Sequence, residues 1–165
     1  MKNIAVIGTG VIGTGWILRF LANDIRVKAF DKNSQQLHFL KEEITRTNLI
    51  IKKLYNTKIN FKNLEIVDSI EEAVKNADLI QENVPERLTL KKDVIKNISK
   101  YSPSNSIIAS SSSGLLPSDL QSKCINPKRL IIAHPFNPVY ILPLVEIVKG
   151  KKTTNLYLHK AKKFY

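Results

Sequence analysis

Short apolar runs and longer stretches at helical spacing alternate along this chain. Ile4-Ala-Val-Ile7 reads as a buried strand, and the pattern behind it continues as a helix to about Leu21. Ile25 to Phe30 predicts a second strand. Asn33 stands where it caps a helix running to about Leu54, with Gln36 placed for a capping box. Leu37, Leu40, Ile44, Ile51 and Leu54 share one face of that helix. A polar turn from Asn56 to Lys62 leads to a strand at Leu64 to Val67, and Ser69 with Glu72 forms a capping box for a helix through Ala77. A strand from Asp78 to Glu82 is stopped by Pro85, and a helix follows from about Glu86 to Lys100. Ser106 to Ser110 is the next strand, ending in a serine run to Ser113 and Gly114, and Pro117 opens a short helix. Leu130 to Ala133 and Leu144 to Val148 are the last two strands, and Thr153 to Tyr165 a final helix. Strands alternating with helices predict an α/β protein with a doubly wound, mostly parallel sheet and helices on both faces.

Composition changes this picture little. The 165 residues suit one domain with a sizeable core, and 43% hydrophobic with 24% charged residues is ordinary for a globular protein. The net charge of +12 raises the question of nucleic acid. The excess is carried by 21 lysines against 5 arginines, spread in pairs such as Lys52-Lys53 and Lys91-Lys92, and no nucleic-acid motif accompanies it. The single cysteine, Cys124, excludes an intrachain disulfide framework and suits a reducing compartment. Histidines at 38, 134 and 159 have no metal-ligand spacing, so no metal is expected. Four glycines and Arg19 interrupt the apolar N-terminal stretch, which argues against a secretory signal. Three prolines, a histidine and a glutamate within 130–148 exclude a spanning helix there, so no membrane partner and a cytoplasmic location are expected.

The strand-to-helix junction Gly8-Thr-Gly10-Val11-Ile12-Gly13 carries the first chemistry. Gly8 makes a tight turn, Gly10 admits a pyrophosphate, and Gly13 lets the helix pack close to the sheet. With Val11 and Ile12 they form a dinucleotide cradle at a helix N-terminus. Alone the pattern is weak, because glycine clusters also mark ordinary turns. Asp31 ends the second strand eighteen residues after Gly13, where an acid accepts hydrogen bonds from ribose hydroxyls; the competing reading is a carboxylate capping the next helix. The acid would repel a 2′-phosphate, so NAD is expected over NADP. The expected fold is of the Rossmann type.

His134, at the end of a strand in Ile132-Ala-His-Pro-Phe136-Asn137-Pro-Val-Tyr140, is placed to take a proton from an alcohol, with Glu146 on the next strand as its orienting acid. A core histidine beside an unrelated carboxylate fits the spacing as well.

The fingerprint with its distal acid, the block Glu82-Asn-Val-Pro-Glu-Arg-Leu88, the serine run and the His134 segment together resemble the NAD-binding domain of the 3-hydroxyacyl-CoA dehydrogenase family over essentially the whole chain. Within it, the blocks are most similar to members acting on L-carnitine. The resemblance implies that His134 and Glu146 are catalytic, that Ser113 contacts the substrate oxygen, and that Asn137 lies near the nicotinamide. It puts cofactor contacts on Glu86 and Lys91, with Glu82 and Asn83 competing for the same edge. Phe136 and Tyr140 then become candidates to hold a quaternary ammonium, by cation–π attraction, although Phe136 also suits a core position. The alternatives are 3-hydroxyacyl-CoA oxidation by the same groups, or a non-catalytic NAD-binding fragment. No Tyr-x-x-x-Lys pair supports a short-chain dehydrogenase. Family members continue into a helical domain that builds the dimer and closes over the substrate. The expectation is therefore a truncated NAD-binding domain at 1–165, with a homodimer only if that domain or a second chain supplying it is present.

Overall fold

A computed structural model describes residues 1–57 and 59–165. Seven strands form one sheet: β1 (Asn3–Ile7), β2 (Arg26–Phe30), β3 (Leu64–Ile66), β4 (Leu79–Glu82), β5 (Ile107–Ser110), β6 (Leu130–Pro135) and β7 (Val145–Lys149). Their order is β3-β2-β1-β4-β5-β6-β7, and all pairs are parallel except β6 with β7. This is the doubly wound sheet that the alternating pattern predicts.

Strand periodicity sorts the core into two layers. Ile4, Val6, Leu79, Ile107, Ala109, Ile131 and Ala133 meet α1 (Val11–Ala22), α2 (Ser34–Tyr55) and α6 (Asn155–Phe164). Ala5, Ile7, Ile80, Ile108, Leu130 and Ile132 meet α3 (Ile70–Val74), α4 (Leu88–Tyr101) and α5 (Pro117–Leu120). A strand covered on both faces has no polar side, which is why these segments read as continuous apolar runs.

Several boundaries differ from the sequence pattern. Asn33 caps α2 by accepting from the Gln35 N–H at 2.9 Å, but its own N–H donates to Asp31 Oδ1 at 2.9 Å, so Gln36 closes no capping box. Leu54 is 52% exposed; the buried stripe of α2 runs Leu40, Ile44, Thr47, Ile51 and then leaves the sheet. The turn expected at Asn56–Lys62 includes Lys58, which lies outside the described residues; Phe61–Asn63 form a 3₁₀ turn. Ser69 caps Glu72 N–H at 3.1 Å, yet α3 ends at Val74 rather than Ala77. Glu86 precedes α4 instead of opening it. β6 extends to Pro135, two residues past the apolar run, because β7 pairs back onto it.

Candidate active site

Six parallel strands carry their carboxyl ends to one edge, and the antiparallel β7 begins there. Gly8 to Gly13, Asp31, Glu86, Ser113, His134, Asn137 and Glu146 all lie at or just beyond this edge. An α/β sheet binds its ligands there, on either side of the point where strand order reverses, between β1 and β4.

The glycine turn fits a dinucleotide. Gly8 has φ +91°, a conformation that favours glycine, and a Cβ there would meet the Asn83 carbonyl group at 2.8–2.9 Å. A Cβ on Gly13 would overlap the Gly8 carbonyl, whereas one on Gly10 would meet only Gln36 Oε1, at 3.7 Å. The turn is therefore closed behind and open above Gly10. No side chain caps α1, so the N–H groups of Val11, Ile12 and Gly13 are left for an anion. Asp31 lies beside this turn: its Oδ2 accepts from Thr9 N–H at 2.6 Å and Thr9 Oγ1 at 3.2 Å. The carboxylate thus ties the end of β2 to the cradle. Its Oδ1 also accepts the N–H of Asn33, the residue whose side chain caps α2.

His134 and Glu146 are directly opposed in the antiparallel β6–β7 pair, and opposed residues project to the same face. Glu146 Oε2 lies 2.9 Å from His134 Nδ1. His134 is half-buried and Glu146 exposed, and the other ring nitrogen, Nε2, has no hydrogen-bond partner among the described residues. A base with one nitrogen held and one free is able to exchange a proton with a ligand.

Glu86 organises the serine loop. Its Oε1 accepts from the Ser112 hydroxyl, from Ser113 N–H at 3.1 Å and from Gly114 N–H at 3.0 Å. Partial burial raises the Glu86 pKa, but the Ser112 hydroxyl, the Gly114 N–H and Lys91 outweigh it and hold the carboxyl below its ordinary value. Ser113 itself is exposed, with no side-chain partner among the described residues.

Lys91, which the family resemblance puts among the cofactor contacts, is 1% exposed, with Nζ 2.8 Å from both Glu82 Oε1 and the Val84 carbonyl and 3.5 Å from Glu86 Oε2. Its ammonium is satisfied inside the protein and secures the segment that carries Glu86. Burial pushes the Glu82 carboxyl up, against the pull of Lys91, Ser110 and the Val84 N–H. Glu82 is fully buried and holds the Lys91 ammonium from within the sheet edge.

Phe136 and Tyr140 lie on either side of Asn137 in the segment that follows β6. The Phe136 ring lies 5.9 Å from the His134 ring and is exposed, so it is not a core residue. Tyr140 lines a separate cleft of about 160 Å³ with Phe39, Glu43, Arg46 and Asn137, between α1 and α2. The Asn137–Pro138 peptide beside it is cis. The sequence reading missed Phe39, Gln81 and Ser111. For Gln81 the available signal was a polar residue inside an otherwise apolar strand.

Fold, glycine cradle and strand-end acid define a dinucleotide-binding dehydrogenase domain. The family described as "3-hydroxyacyl-CoA dehydrogenase, NAD binding domain" matches residues 3–165, and the chain belongs to it. Its cofactor is NAD. The chain is 49% identical to an L-carnitine dehydrogenase of Oceanobacillus iheyensis, covering 100% of this chain and 54% of the relative. It is 44% identical to one of Bacillus cereus, covering 100% of this chain and 51% of the relative. The chain thus spans about half the length of the curated relatives it matches. A solved NAD⁺-dependent 5-formyl-3-hydroxy-2-methylpyridine 4-carboxylic acid 5-dehydrogenase superposes with TM-score 0.91 at 28% identity, covering 99% of this chain and 53% of that one. No described helix is long and apolar enough to cross a membrane.

Proposed function

We propose that residues 1–165 form the NAD-binding part of an enzyme that oxidises the 3-hydroxyl of L-carnitine to a ketone. The observation that carries this reading is the 2.9 Å contact between His134 Nδ1 and Glu146 Oε2 at the cofactor edge. The names of the relatives supply the substrate. Glu146 keeps the proton on Nδ1 and stabilises the imidazolium, while Nε2 takes the hydroxyl proton. When bound, NAD supplies the hydride acceptor. Ser113 donates to the substrate oxygen, Asn137 borders the nicotinamide end, and Phe136 or Tyr140 offers a face to the trimethylammonium. Gly8, Gly10, Val11, Ile12 and Gly13 hold the pyrophosphate and Asp31 the ribose, with Glu86 and Lys91 at the far side of the cleft. A helical domain, on the same or a second chain, completes the site and its dimer. The cytoplasm, where a free Cys124 stays reduced, is the compartment in which we place the reaction.

Two measurements test this. NAD should bind the chain more tightly than NADP, and equal or tighter NADP binding overturns the role of Asp31. Joined to the remaining length of the Oceanobacillus relative, the chain should oxidise L-carnitine faster than 3-hydroxybutyryl-CoA. In that enzyme His134→Ala should abolish turnover with NAD affinity essentially unchanged, and Glu146→Gln should slow it by about 10²–10⁴. Wild-type rates after His134→Ala would reject the mechanism.

A further inference from the structure

A hydrogen-bonded chain crosses the layer between α6 and the glycine turn. The Tyr165 hydroxyl, at the end of α6, donates to Gln81 Oε1. Gln81 is fully buried in β4, and its Nε2 donates to Ser111 Oγ at 2.9 Å. Ser111 also receives the indole N–H of Trp16 at 3.1 Å and donates its own proton to Asn83 Oδ1 at 2.7 Å. The Asn83 amide nitrogen returns to the Gln81 carbonyl at 2.9 Å and closes the circuit. Asn83 N–H is bonded to the Ile7 carbonyl at 2.7 Å, and the Asn83 carbonyl group forms the floor on which Gly8 rests.

Each member has its partners fixed. Ser111 Oγ takes two donors and gives one proton, which fills its capacity. Gln81 uses both ends of its amide, so its orientation is set by the phenol on one side and the serine on the other. Trp16 is held in place by ring contacts with Phe20 and Tyr165, each at 5.2 Å between centroids. Polar groups satisfied in this way inside a low-dielectric layer reinforce one another, and losing one leaves its neighbours unpaired.

We propose that Tyr165, Gln81 and Ser111 are positioning residues for NAD: they lock Asn83, and through it the glycine turn, to the end of α6. The cofactor is the one the family binds. Cofactor affinity and the seating of α6 are then linked, and linkage is reciprocal. None of the three needs to touch the ligand.

The test uses the chain as it is, with Tyr165→Phe, Ser111→Ala and the double variant. NAD affinity is measured by titration, following the emission of Trp16, the protein's single tryptophan. Amide hydrogen exchange is followed at Gly8 and Thr9, whose N–H groups are bonded to the Phe30 carbonyl and to Asp31. Each single variant should weaken NAD binding about fivefold and speed exchange at Gly8 and Thr9. The double variant should be no worse than the weaker single one, because the circuit acts as a unit. Ser111→Thr, which keeps the hydroxyl, should restore most of the affinity. Unchanged exchange at Gly8 and Thr9 in Tyr165→Phe, or additive losses in the double variant, would overturn the inference. A fall in thermal midpoint alone would reduce the circuit to a stabilising role and also overturn it. Failure of the wild type to bind NAD would remove the cofactor role, while exchange at Gly8 and Thr9 would still decide the coupling.

Discussion

Lys91 and Glu82 form an ion pair with almost no exposed surface. Burying two charges costs much of what their attraction returns, so the pair itself adds little stability. Removing one partner is different, because the other charge is left alone in a low-dielectric interior. Lys91→Met should therefore cost about 3–5 kcal/mol in chemical denaturation, with Glu82→Gln/Lys91→Met recovering part of the loss. Glu86 behaves differently, since its donors hold its pKa below the ordinary value. An acid depressed in the folded state adds stability above its unfolded pKa and loses it as pH falls through the folded value. Thermal midpoints of the wild type should thus drop more between about pH 6 and pH 3 than those of Glu86→Gln. Equal slopes would mean that the serine loop is held by something other than this carboxylate.

At the scale of elements, α1 begins where it does because its glycines leave room. Gly13 sits against the Gly8 carbonyl, so Gly13→Ala should destabilise by about 1–3 kcal/mol through overpacking of backbone and lower NAD affinity. Circular dichroism melts with a cofactor titration check both effects. Helix α2 shows how far periodicity carries. Leu40, Ile44 and Ile51 were legible as its buried face, yet the pattern extended to Leu54, which is exposed, and passed over Thr47, which is buried. Thr47 satisfies its hydroxyl within the helix, by donating to the Glu43 carbonyl at 2.7 Å, and so packs like an apolar residue. A hydrophobicity pattern has no means of registering that bond.

For the molecule as a whole, exposed apolar surface gathers around β7. Leu144 and Val148 are 56% and 47% exposed, and Ile141 and Leu142 are exposed beside them on the preceding turn. A hydrophobic strand at the edge of a sheet invites association. Leu144→Lys with Val148→Lys should reduce light scattering at high concentration while shifting the thermal midpoint by no more than about 2–4 °C.

The amino-acid sequence by itself determined the alternation of strands and helices, the parallel doubly wound class, the glycine turn with Asp31, and the edge on which Asp31, Ser113 and His134 would gather. These follow from local spacing and from the few conformations that glycine, proline and alternating apolar residues permit. Tertiary structure decided the partners. Twelve residues separate His134 from Glu146, and only the antiparallel return of β7 sets them opposite each other. Lys91 and Glu82 lie nine residues apart, and it is the packing of α4 against the end of β4 that buries them side by side. Tyr165 meets Gln81 across eighty-four residues, a contact that depends on how α6 closes over the sheet. Pairings of this kind depend on register and on long-range packing, and a linear pattern of polar and apolar positions contains neither.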